Sequence, residues 1–322
     1  MKYIGEPIEK NKYKQEDIYS REKGIYEYVA INPQNEDSRK NHNRFFVKLS
    51  IWNPDQHFGE FLGAVIAQKV GFKTCDVKLF RRQRPNTKYF DDGIISYVET
   101  SRYDDLFLPR GMIKRYRNEV NENPEAYWVL NVDTIMNAGF KEFRDNRRPE
   151  AEFLKFKQDI INMMVYDIKF TNADRDSENW KIRKNSKTGE IDLYPMFDNA
   201  AILGFERKII IKNNNQKEYE KEIKEYDNER VSSIITPALE MQEEVDEDYK
   251  TVLKYLLKKY PEQTQKAVEA VNSFTVEDLK EILNNIEGIS EERKKFTIDV
   301  FNERDKNVKE IYREYLDLEQ ER

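Results

Sequence analysis

The chain changes character near residue 100, and this change is what most constrains its fold. Before it, short runs rich in β-branched and aromatic residues predict strands over 25–31, 44–50, 77–80 and 94–98. A helix is predicted between the second and third strands, opening at Asn53-Pro54 and ending at Gly71. After residue 101 helical patterns dominate. We therefore predict a two-lobed α+β fold, with a mostly β N-lobe over 1–100 and a helical C-lobe over 101–322.

The amino-acid composition argues against several classes of function. The formal net charge of -6 argues against a broad nucleic-acid binder, and we expect no direct nucleic-acid binding. The basic clusters at 81–84 and 114–117 are interpreted as solvated surface without an assigned role. Cys75 is the only cysteine, which excludes an internal disulfide and a thiolate zinc cluster. The two histidines, His42 and His57, are too few for a multi-histidine metal site.

The sequence also bears on location. The N-terminus lacks the apolar core of a signal peptide, and no run approaches the roughly eighteen apolar residues that a membrane span needs. We expect a cytoplasmic protein with no membrane partner, and export without a signal peptide stays open.

The C-lobe pattern leads into a polar loop. An apolar stripe over 153–168 predicts a central helix that runs directly into the loop of Asp174. Strand patterns at 180–183 and 191–194 then predict a hairpin that returns Asp198 toward that loop. The segment 209–226 is interpreted as a second exposed hairpin or a mobile loop. Further on, helix caps are predicted at Thr275-Val276-Glu277-Asp278 and at Ser290, with a stop at Gly288.

Three polar residues have the order of a phosphoryl-transfer site. In kinases one Asp accepts the proton of the attacking hydroxyl, an Asn five residues later holds a metal, and a second Asp beyond a hairpin holds Mg²⁺. Asp174, Asn179 and Asp198 stand in that order. The same residue types are common in ordinary turns, and that alternative stays open.

A kinase site also needs a cation over the phosphates. Lys48 lies in a strand pattern, and Glu60 lies in the first turns of the following helix, so the two are candidates for a lysine–glutamate pair. Either side chain could instead face solvent. The turn before Lys48, over 32–43, contains no glycine, so it cannot be the usual glycine-rich phosphate cradle.

These residues resemble the HipA-like protein kinases, and in particular their stand-alone CtkA type. The similarity lies in five segments, which are Phe46-Val47-Lys48, Gly59-Glu60-Phe61 with Val70-Gly71-Phe72, the loop 172–180, Pro195-Met196-Phe197-Asp198, and the helical tail 289–304. The resemblance implies a two-lobed kinase-like fold, ATP with Mg²⁺, and phosphorylation of serine or threonine in a protein substrate.

The resemblance also implies roles for particular residues. Asp174 would be the catalytic base, and Asn179 and Asp198 would be the metal ligands. Lys48 would bind the phosphates and take part in catalysis, with Glu60 as its ion-pair partner. The adenine would lie against the end of the last N-lobe strand, at Tyr97, Val98 and Glu99. Autophosphorylation and a small antitoxin-like partner are further expectations from this family.

One residue departs from the family pattern. The family commonly has Asp-Arg-His, and this chain has Asp174-Arg175-Asp176. Together with the glycine-free loop, this keeps open a nucleotide-binding pseudokinase that acts as an interaction protein. A kinase acting on a small molecule or a peptide is the remaining alternative.

Overall fold

The computed structural model describes a large part of the chain. The described residues are 13–16, 23–29, 42–49, 55–83, 88, 90–98, 103–120, 122, 131–175, 178–207, 216–229, 231–232, 234 and 247–321. Within these ranges, no helix combines the length and the apolar character that crossing a bilayer requires.

The N-terminal part is built on an antiparallel sheet in the order β1-β2-β3-β5-β4. Its strands are β1 (Tyr13–Glu16), β2 (Lys23–Val29), β3 (His42–Leu49), β4 (Val77–Gln83) and β5 (Phe90–Val98). The four predicted strands correspond to β2 through β5, and β1 is an addition that the sequence pattern did not indicate. Strand β3 lies between β2 and β5, which places Lys48 in the middle of the sheet.

Helix α1 (Gln56–Lys69) connects β3 to β4, as the sequence predicts. It ends where Gly71 takes a φ of 78°, a left-handed conformation that glycine adopts without steric cost. Its N-cap is Asp55, while the predicted cap at Asn53-Pro54 lies outside the described residues. Most of the helix is buried, because it is covered by the sheet on one side and by the C-terminal part on the other.

The C-terminal part is mostly helical. Its helices are α2 (Pro109–Glu119), α3 (Val132–Asp145), α4 (Glu150–Lys169), α5 (Gln216–Glu229), α6 (Tyr249–Lys259), α7 (Pro261–Asn272), α8 (Val276–Asn284) and α9 (Glu291–Gln320). The predicted caps are present: Thr275 and Asp278 form a reciprocal capping box, and Ser290 caps α9. The Asn-Pro pattern at Asn123-Pro124 predicts one more helix start, and it lies outside the described residues. The α+β, two-lobed fold class is confirmed, and the exact boundary between 100 and 101 stays a prediction.

Helix α4 is the centre of the C-terminal core. Its apolar stripe is fully buried at Ile160, Ile161 and Val165, and it packs against α7, α3 and the hairpin. Arg304 of α9 binds the carbonyl oxygen of Ile168 at 2.8 Å, so the C-terminal end of α4 is held in place. The loop of Asp174 therefore leaves a helix whose position is set by the core.

The predicted hairpin consists of β7 (Ile182–Asn185) and β8 (Ile191–Leu193), paired antiparallel. Asn185 closes the turn, since its side-chain oxygen accepts hydrogen bonds from the backbone N–H groups of Lys187 and Thr188. A third strand, β6 (Asp104–Phe107), extends this sheet by pairing with β7. The sequence analysis did not foresee β6.

The segment after β8 crosses to the N-terminal part. Met196 forms a parallel bridge with Thr74, which follows helix α1. The backbone N–H of Cys75 donates to the carbonyl oxygen of Met196, and the Thr74 hydroxyl donates to the same oxygen. Asp198 is thereby delivered beneath the sheet that carries Lys48.

One prediction is wrong. The segment 209–226 does not form a hairpin or loop from residue 216 onward, because Gln216–Glu229 is helix α5. Ile223 and Tyr226 lie three residues apart and are both buried, with the Tyr226 ring 5.7 Å from that of Phe296 on α9. This short, charged helix is stabilised by packing on α9. A pattern of neighbouring residues cannot show such a contact with a distant helix.

A two-stranded ribbon completes the described elements. It pairs β9 (Val231–Ser232) with β10 (Glu247–Asp248) just before α6.

Candidate functional site

Lys48 and Asp198 form an ion pair between the two parts of the molecule. Lys48 Nζ lies 2.5 Å from Asp198 Oδ1, although the residues are 150 positions apart in sequence. Asp198 has a φ of 55°, a left-handed conformation that aspartate tolerates better than most residues. Both side chains are mostly buried, with 21% and 11% of their surfaces exposed. The structure thus brings two of the predicted site residues into direct contact.

The charges around Lys48 keep its ammonium group protonated. Burial works to lower the pKa of Lys48, but the carboxylates of Asp198, Glu60 and Asp174 outweigh it and raise that pKa above its ordinary value. Three of the predicted acidic residues are therefore close enough to act on the lysine. A cation held in this way can neutralise phosphate oxygens.

Glu60 lies in the interior beside this pair. It is 2% exposed, it accepts a hydrogen bond from the backbone N–H of Asn199, and its Oε2 has no hydrogen-bond partner among the described residues. Burial and the neighbouring charge of Asp198 raise the pKa of Glu60. The direct ion pair of Lys48 in this structure is with Asp198, in place of the Lys48–Glu60 pair that the sequence analysis expected.

Arg175 joins the loop of Asp174 to the segment of Asp198. Its guanidinium binds both oxygens of Asp167 on α4, at 2.9 and 3.0 Å. It also donates to the carbonyl oxygens of Asn179 and Phe197, at 2.9 and 2.6 Å, and to Oδ1 of Asn199 at 2.6 Å. Arg175 is fully buried. A single side chain therefore sets the distance between the two halves of the predicted catalytic pattern.

The loop itself is closed by Asn179. Its Nδ2 donates to the carbonyl oxygen of Asp174 at 2.5 Å. The Asp174 side chain is exposed, whereas Asn179 is buried beneath it. An exposed carboxylate whose backbone is held by a buried side chain is what a general base needs in order to meet an incoming hydroxyl. Asp176, the residue that departs from the family pattern, lies outside the described residues.

Oxygen donors for a cation are present at the site. Asp198 supplies a carboxylate, and Asn179 has an amide oxygen in addition to the Nδ2 group that donates to Asp174. Among the described residues, no cluster of three or more His, Cys, Asp or Glu side chains has metal-binding geometry. This small, oxygen-only donor set fits Mg²⁺, which in nucleotide sites takes one or two protein ligands together with phosphates and water.

Helix α1 is held tightly against the segment that follows Asp198. A Cβ atom added at Gly59 would lie 2.5 Å from the carbonyl oxygen of Ala200, and one added at Gly63 would lie 2.5 Å from the Cβ of Asn199. Tyr166 of α4 donates to the carbonyl oxygen of Gly63 at 2.7 Å. Two glycines thus allow the close approach that brings Glu60 to the site, and larger residues would separate these elements.

A second contact holds the beginning of α1. Arg293 of α9 donates to the carboxylate of Asp55 at 3.0 Å and to the carbonyl oxygen of Gly204 at 2.7 Å. Arg293 is 2% exposed. Helix α1 is consequently fixed to the C-terminal helices at the same end that carries Glu60.

The predicted adenine region is only partly described. Tyr97 and Val98 are the last two residues of β5, and Glu99 lies outside the described residues. Most of the glycine-free loop over 32–43 also lies outside them. The structure brings Lys48, Glu60 and Asp198 together and places Asn179 against Asp174, and the roles assigned to all eight predicted site residues stay predictions.

Sequence reasoning missed two residues of this site. Arg175 was noted only as part of a motif, although it is the one basic residue inside the polar loop 172–179. Lys181 was not considered: its ammonium lies 5.7 Å from the centre of the Phe197 ring, and burial lowers its pKa. A lysine between Trp180 and Ile182 carries no sequence signal that would distinguish a cleft position from a solvent-facing one.

Comparison with known proteins shows which fold this chain has. The sequence matches no family model and no curated protein. The structure is similar to the crystal structure of the proinflammatory kinase CtkA from Helicobacter pylori, with a TM-score of 0.66 and 17% identity over 92% of this chain and 95% of that chain. This chain has the HipA-like kinase fold. At this identity the likeness shows the fold alone, and the reaction has to be argued from the residues.

A second structure with the HipA-like kinase fold supports the same conclusion. It comes from the complex of the Shewanella oneidensis toxin–antitoxin system HipA, HipB and its operator DNA. The TM-score is 0.51 and the identity 11%, over 94% of this chain and 67% of that chain. The match to CtkA extends over 92% of this chain and 95% of that chain, so the likeness of fold covers both the β-rich and the helical part.

Proposed function

We propose that this protein transfers the γ-phosphoryl group of ATP to a serine or threonine hydroxyl of a protein substrate. The observation that carries the proposal is the 2.5 Å contact between Lys48 and Asp198, inside a kinase fold and beside the loop of Asp174 and Asn179. The proposal includes autophosphorylation as one outcome of the same activity. ATP as co-substrate and a single cysteine are in keeping with the cytoplasmic location that the sequence predicts.

Each site residue has a definite part in this mechanism. Lys48 binds the nucleotide phosphates. Asp198 and Asn179 would hold Mg²⁺, which would supply charge neutralisation at the phosphate oxygens. Asp174 accepts the proton of the substrate hydroxyl as its oxygen bonds to the γ-phosphorus. The bond from that phosphorus to the bridging oxygen breaks, and ADP leaves with the electron pair. Glu60 keeps negative charge behind Lys48.

Arg175 and the core supply the positioning. Kinases do little covalent chemistry with their own residues, so most of the acceleration comes from holding the reactants and stabilising charge. Arg175 ties the backbone of Asn179 to that of Phe197, which precedes Asp198. The base and the metal ligands therefore keep a fixed spacing without a bound nucleotide.

The test combines a transfer assay with a binding assay. Wild type, Asp174→Asn and Asp198→Asn are incubated with ATP and Mg²⁺ and examined by intact mass spectrometry, with casein as a generic acceptor. We expect Asp174→Asn to bind ATP normally but to lose transfer by about 10²–10⁴-fold, as removal of a general base does. Asp198→Asn should lose Mg²⁺-dependent ATP binding as well. Asp317→Asn, the same change on an exposed part of α9, is the matched control.

Two results would overturn the assignment. Transfer at the wild-type rate by Asp174→Asn would remove Asp174 from the role of base. Nucleotide binding by wild type with no phosphate added to itself or to casein would favour the pseudokinase. If only a small molecule or peptide accepts phosphate, the fold and site assignments stand and the substrate class is corrected.

A partner protein belongs to the same proposal. The structural neighbour from Shewanella oneidensis was solved with HipB and operator DNA. By analogy of fold, we propose that a small antitoxin-like protein binds this chain and restrains it. Co-expression with small proteins encoded next to its gene, followed by size-exclusion chromatography, tests this. Growth arrest on expression of wild type but not of Asp174→Asn would connect the restraint to catalysis.

A further inference from the structure

A cleft of about 530 Å³ lies beside the catalytic loop. It is formed where strands β6 and β7 meet helices α2 and α3. Its lining residues are Phe107, Leu108, Arg110, Gly111, Arg115, Glu142 and Lys184. The floor is apolar, and the rim carries three cationic side chains and one carboxylate. A surface of this kind suits a polypeptide segment that has both apolar and charged side chains.

The cleft is in direct contact with the site. Arg110 Nη1 lies 3.3 Å from Oε1 of Glu178, which immediately precedes Asn179 and follows Asp174 by four residues. Both side chains are well exposed, at 44% and 67%. The contact is therefore weak and solvent-screened, and a competing carboxylate can replace Glu178 at the guanidinium. A segment bound at Arg110 would lie next to the stretch that contains Glu178 and Asn179.

The charge of the cleft is opposite to that of the chain. Arg110, Arg115 and Lys184 give three positive charges against two carboxylates, that of Glu142 in the lining and that of Glu178 beside Arg110, in a protein of net charge -6. Arg115 binds Glu142 at 2.7 Å but stays 57% exposed. Lys184 donates to a neutral amide, Oδ1 of Asn146, at 2.7 Å, so that bond leaves its charge uncompensated.

We propose that this cleft binds acidic side chains in the acceptor polypeptide, near the serine or threonine that is phosphorylated. The proposal rests on the proposed kinase function and names the substrate class of the same site. Charge complementarity selects the ligand: a segment rich in Asp and Glu gains ion pairs at the rim, and a basic segment is repelled. It also gives a role to Arg115, from the basic cluster 114–117 that sequence reasoning left as solvated surface.

The first measurement is binding without catalysis. Two fluorescein-labelled peptides have a central serine and a shared apolar residue, with four flanking glutamates in one and four flanking lysines in the other. Fluorescence anisotropy measures the binding of each peptide at low and at high salt. The proteins are wild type and two double variants, the charge-reversed Arg110→Glu/Arg115→Glu and the neutral Arg110→Gln/Arg115→Gln. Lys306→Glu with Arg313→Glu, on exposed positions of α9, has the same net charge change as the first variant and is the matched control.

Wild type should bind the acidic peptide, and the affinity should fall at high salt, because the charges are exposed. The double glutamate variant should bind it at least about tenfold more weakly and should gain affinity for the lysine peptide, since attraction becomes repulsion at two positions. The affinity of the glutamine variant for the acidic peptide should lie between those of wild type and the glutamate variant. The α9 control variant should bind the acidic peptide as tightly as wild type does. The proposal would be overturned if wild type bound both peptides with equal affinity. It would also be overturned if the α9 control variant lost as much affinity for the acidic peptide as the double glutamate variant.

Transfer to the same peptides separates this proposal from the kinase assignment. If wild type is active, the charge-reversed variant should lose kcat/KM on the acidic peptide through KM, and its ATP binding should be unchanged. If wild type transfers no phosphate but prefers the acidic peptide in the binding assay, the cleft assignment stands and the enzyme assignment fails. Tighter binding of oligo(U) RNA than of the acidic peptide would show a nucleic-acid surface instead and would overturn the proposal.

Discussion

Replacing Arg175 by methionine tests whether this residue holds the site together. Methionine has a similar length and fills the same buried space without charge or hydrogen bonds. The change removes five hydrogen bonds, to Asp167, Asn179, Phe197 and Asn199. It also leaves the carboxylate of Asp167 in the interior without its cation.

The expected magnitude follows from burial. Burial raises the pKa of Asp167, and the nearby guanidinium of Arg175 opposes that rise. Breaking a buried ion pair by removing one partner costs about 3–5 kcal/mol. Arg183→Met is the matched control, because Arg183 also binds a carboxylate in two places, on Asp192. That pair is partly exposed, and Asp192 keeps Lys73 at 2.5 Å, so the cost should be about 1 kcal/mol or less.

The assay is urea denaturation followed by far-ultraviolet circular dichroism and tryptophan fluorescence, with ATP binding measured separately. Arg175→Met should lower the free energy of unfolding by several kcal/mol and weaken Mg²⁺-dependent ATP binding. Adding Asp167→Asn to Arg175→Met should recover part of the loss, because the unpaired buried charge is removed. The reasoning is refuted if Arg175→Met costs no more than Arg183→Met, or if the second substitution destabilises further.

Two other predictions concern helix α1 and the core. Gly59→Ala should lower the free energy of unfolding by about 1–3 kcal/mol and weaken ATP binding, because the new Cβ overlaps the carbonyl oxygen of Ala200. Gly111→Ala on α2 is the control, because its new Cβ meets nothing closer than 3.8 Å, and it should be neutral or stabilising by up to about 1 kcal/mol. If both substitutions lowered the free energy of unfolding equally, the packing argument would be contradicted. Burial lowers the pKa of Lys169 to about 8 from an ordinary 10.5. Between these pH values the unfolded chain holds a proton that the folded chain has released, so wild type should gain stability relative to Lys169→Met as pH rises from 8 to 10.5. If the difference in unfolding free energy between wild type and Lys169→Met did not change between pH 8 and 10.5, the lowered pKa of Lys169 would be refuted.

Much of the fold was predictable because its signals are local. Strand runs in the first hundred residues, the apolar stripe of α4 and the capping residues Thr275 and Ser290 each depend on neighbours a few positions away. The predicted hairpin was equally local, with Asn185 and Gly189 marking its turn. What failed was non-local. Strand β6 exists by pairing with β7, some eighty residues later, and α5 exists by packing on α9.

The candidate site divides in the same way. The order of Asp174, Asn179 and Asp198 is a property of the sequence, and so is the presence of a lysine on a strand followed by a glutamate on a helix. The sequence does not determine which carboxylate Lys48 contacts, because Glu60, Asp174 and Asp198 all lie close enough to act on it and only the packing decides between them. In this structure Lys48 contacts Asp198, while Glu60 lies buried against the backbone of Asn199.

The sequence by itself indicated most of the strands and helices, although not β1, β6 or α5, and it determined which residue types are available for phosphoryl transfer. Hydrophobic periodicity and capping act over one or two turns, so they can be recognised without a structure. Only the tertiary structure decided that Arg175 joins the two halves of the site and that Arg110 and Arg115 line one cleft. Buried charges find their partners through the packing of distant elements, and that packing depends on contacts that no local pattern contains.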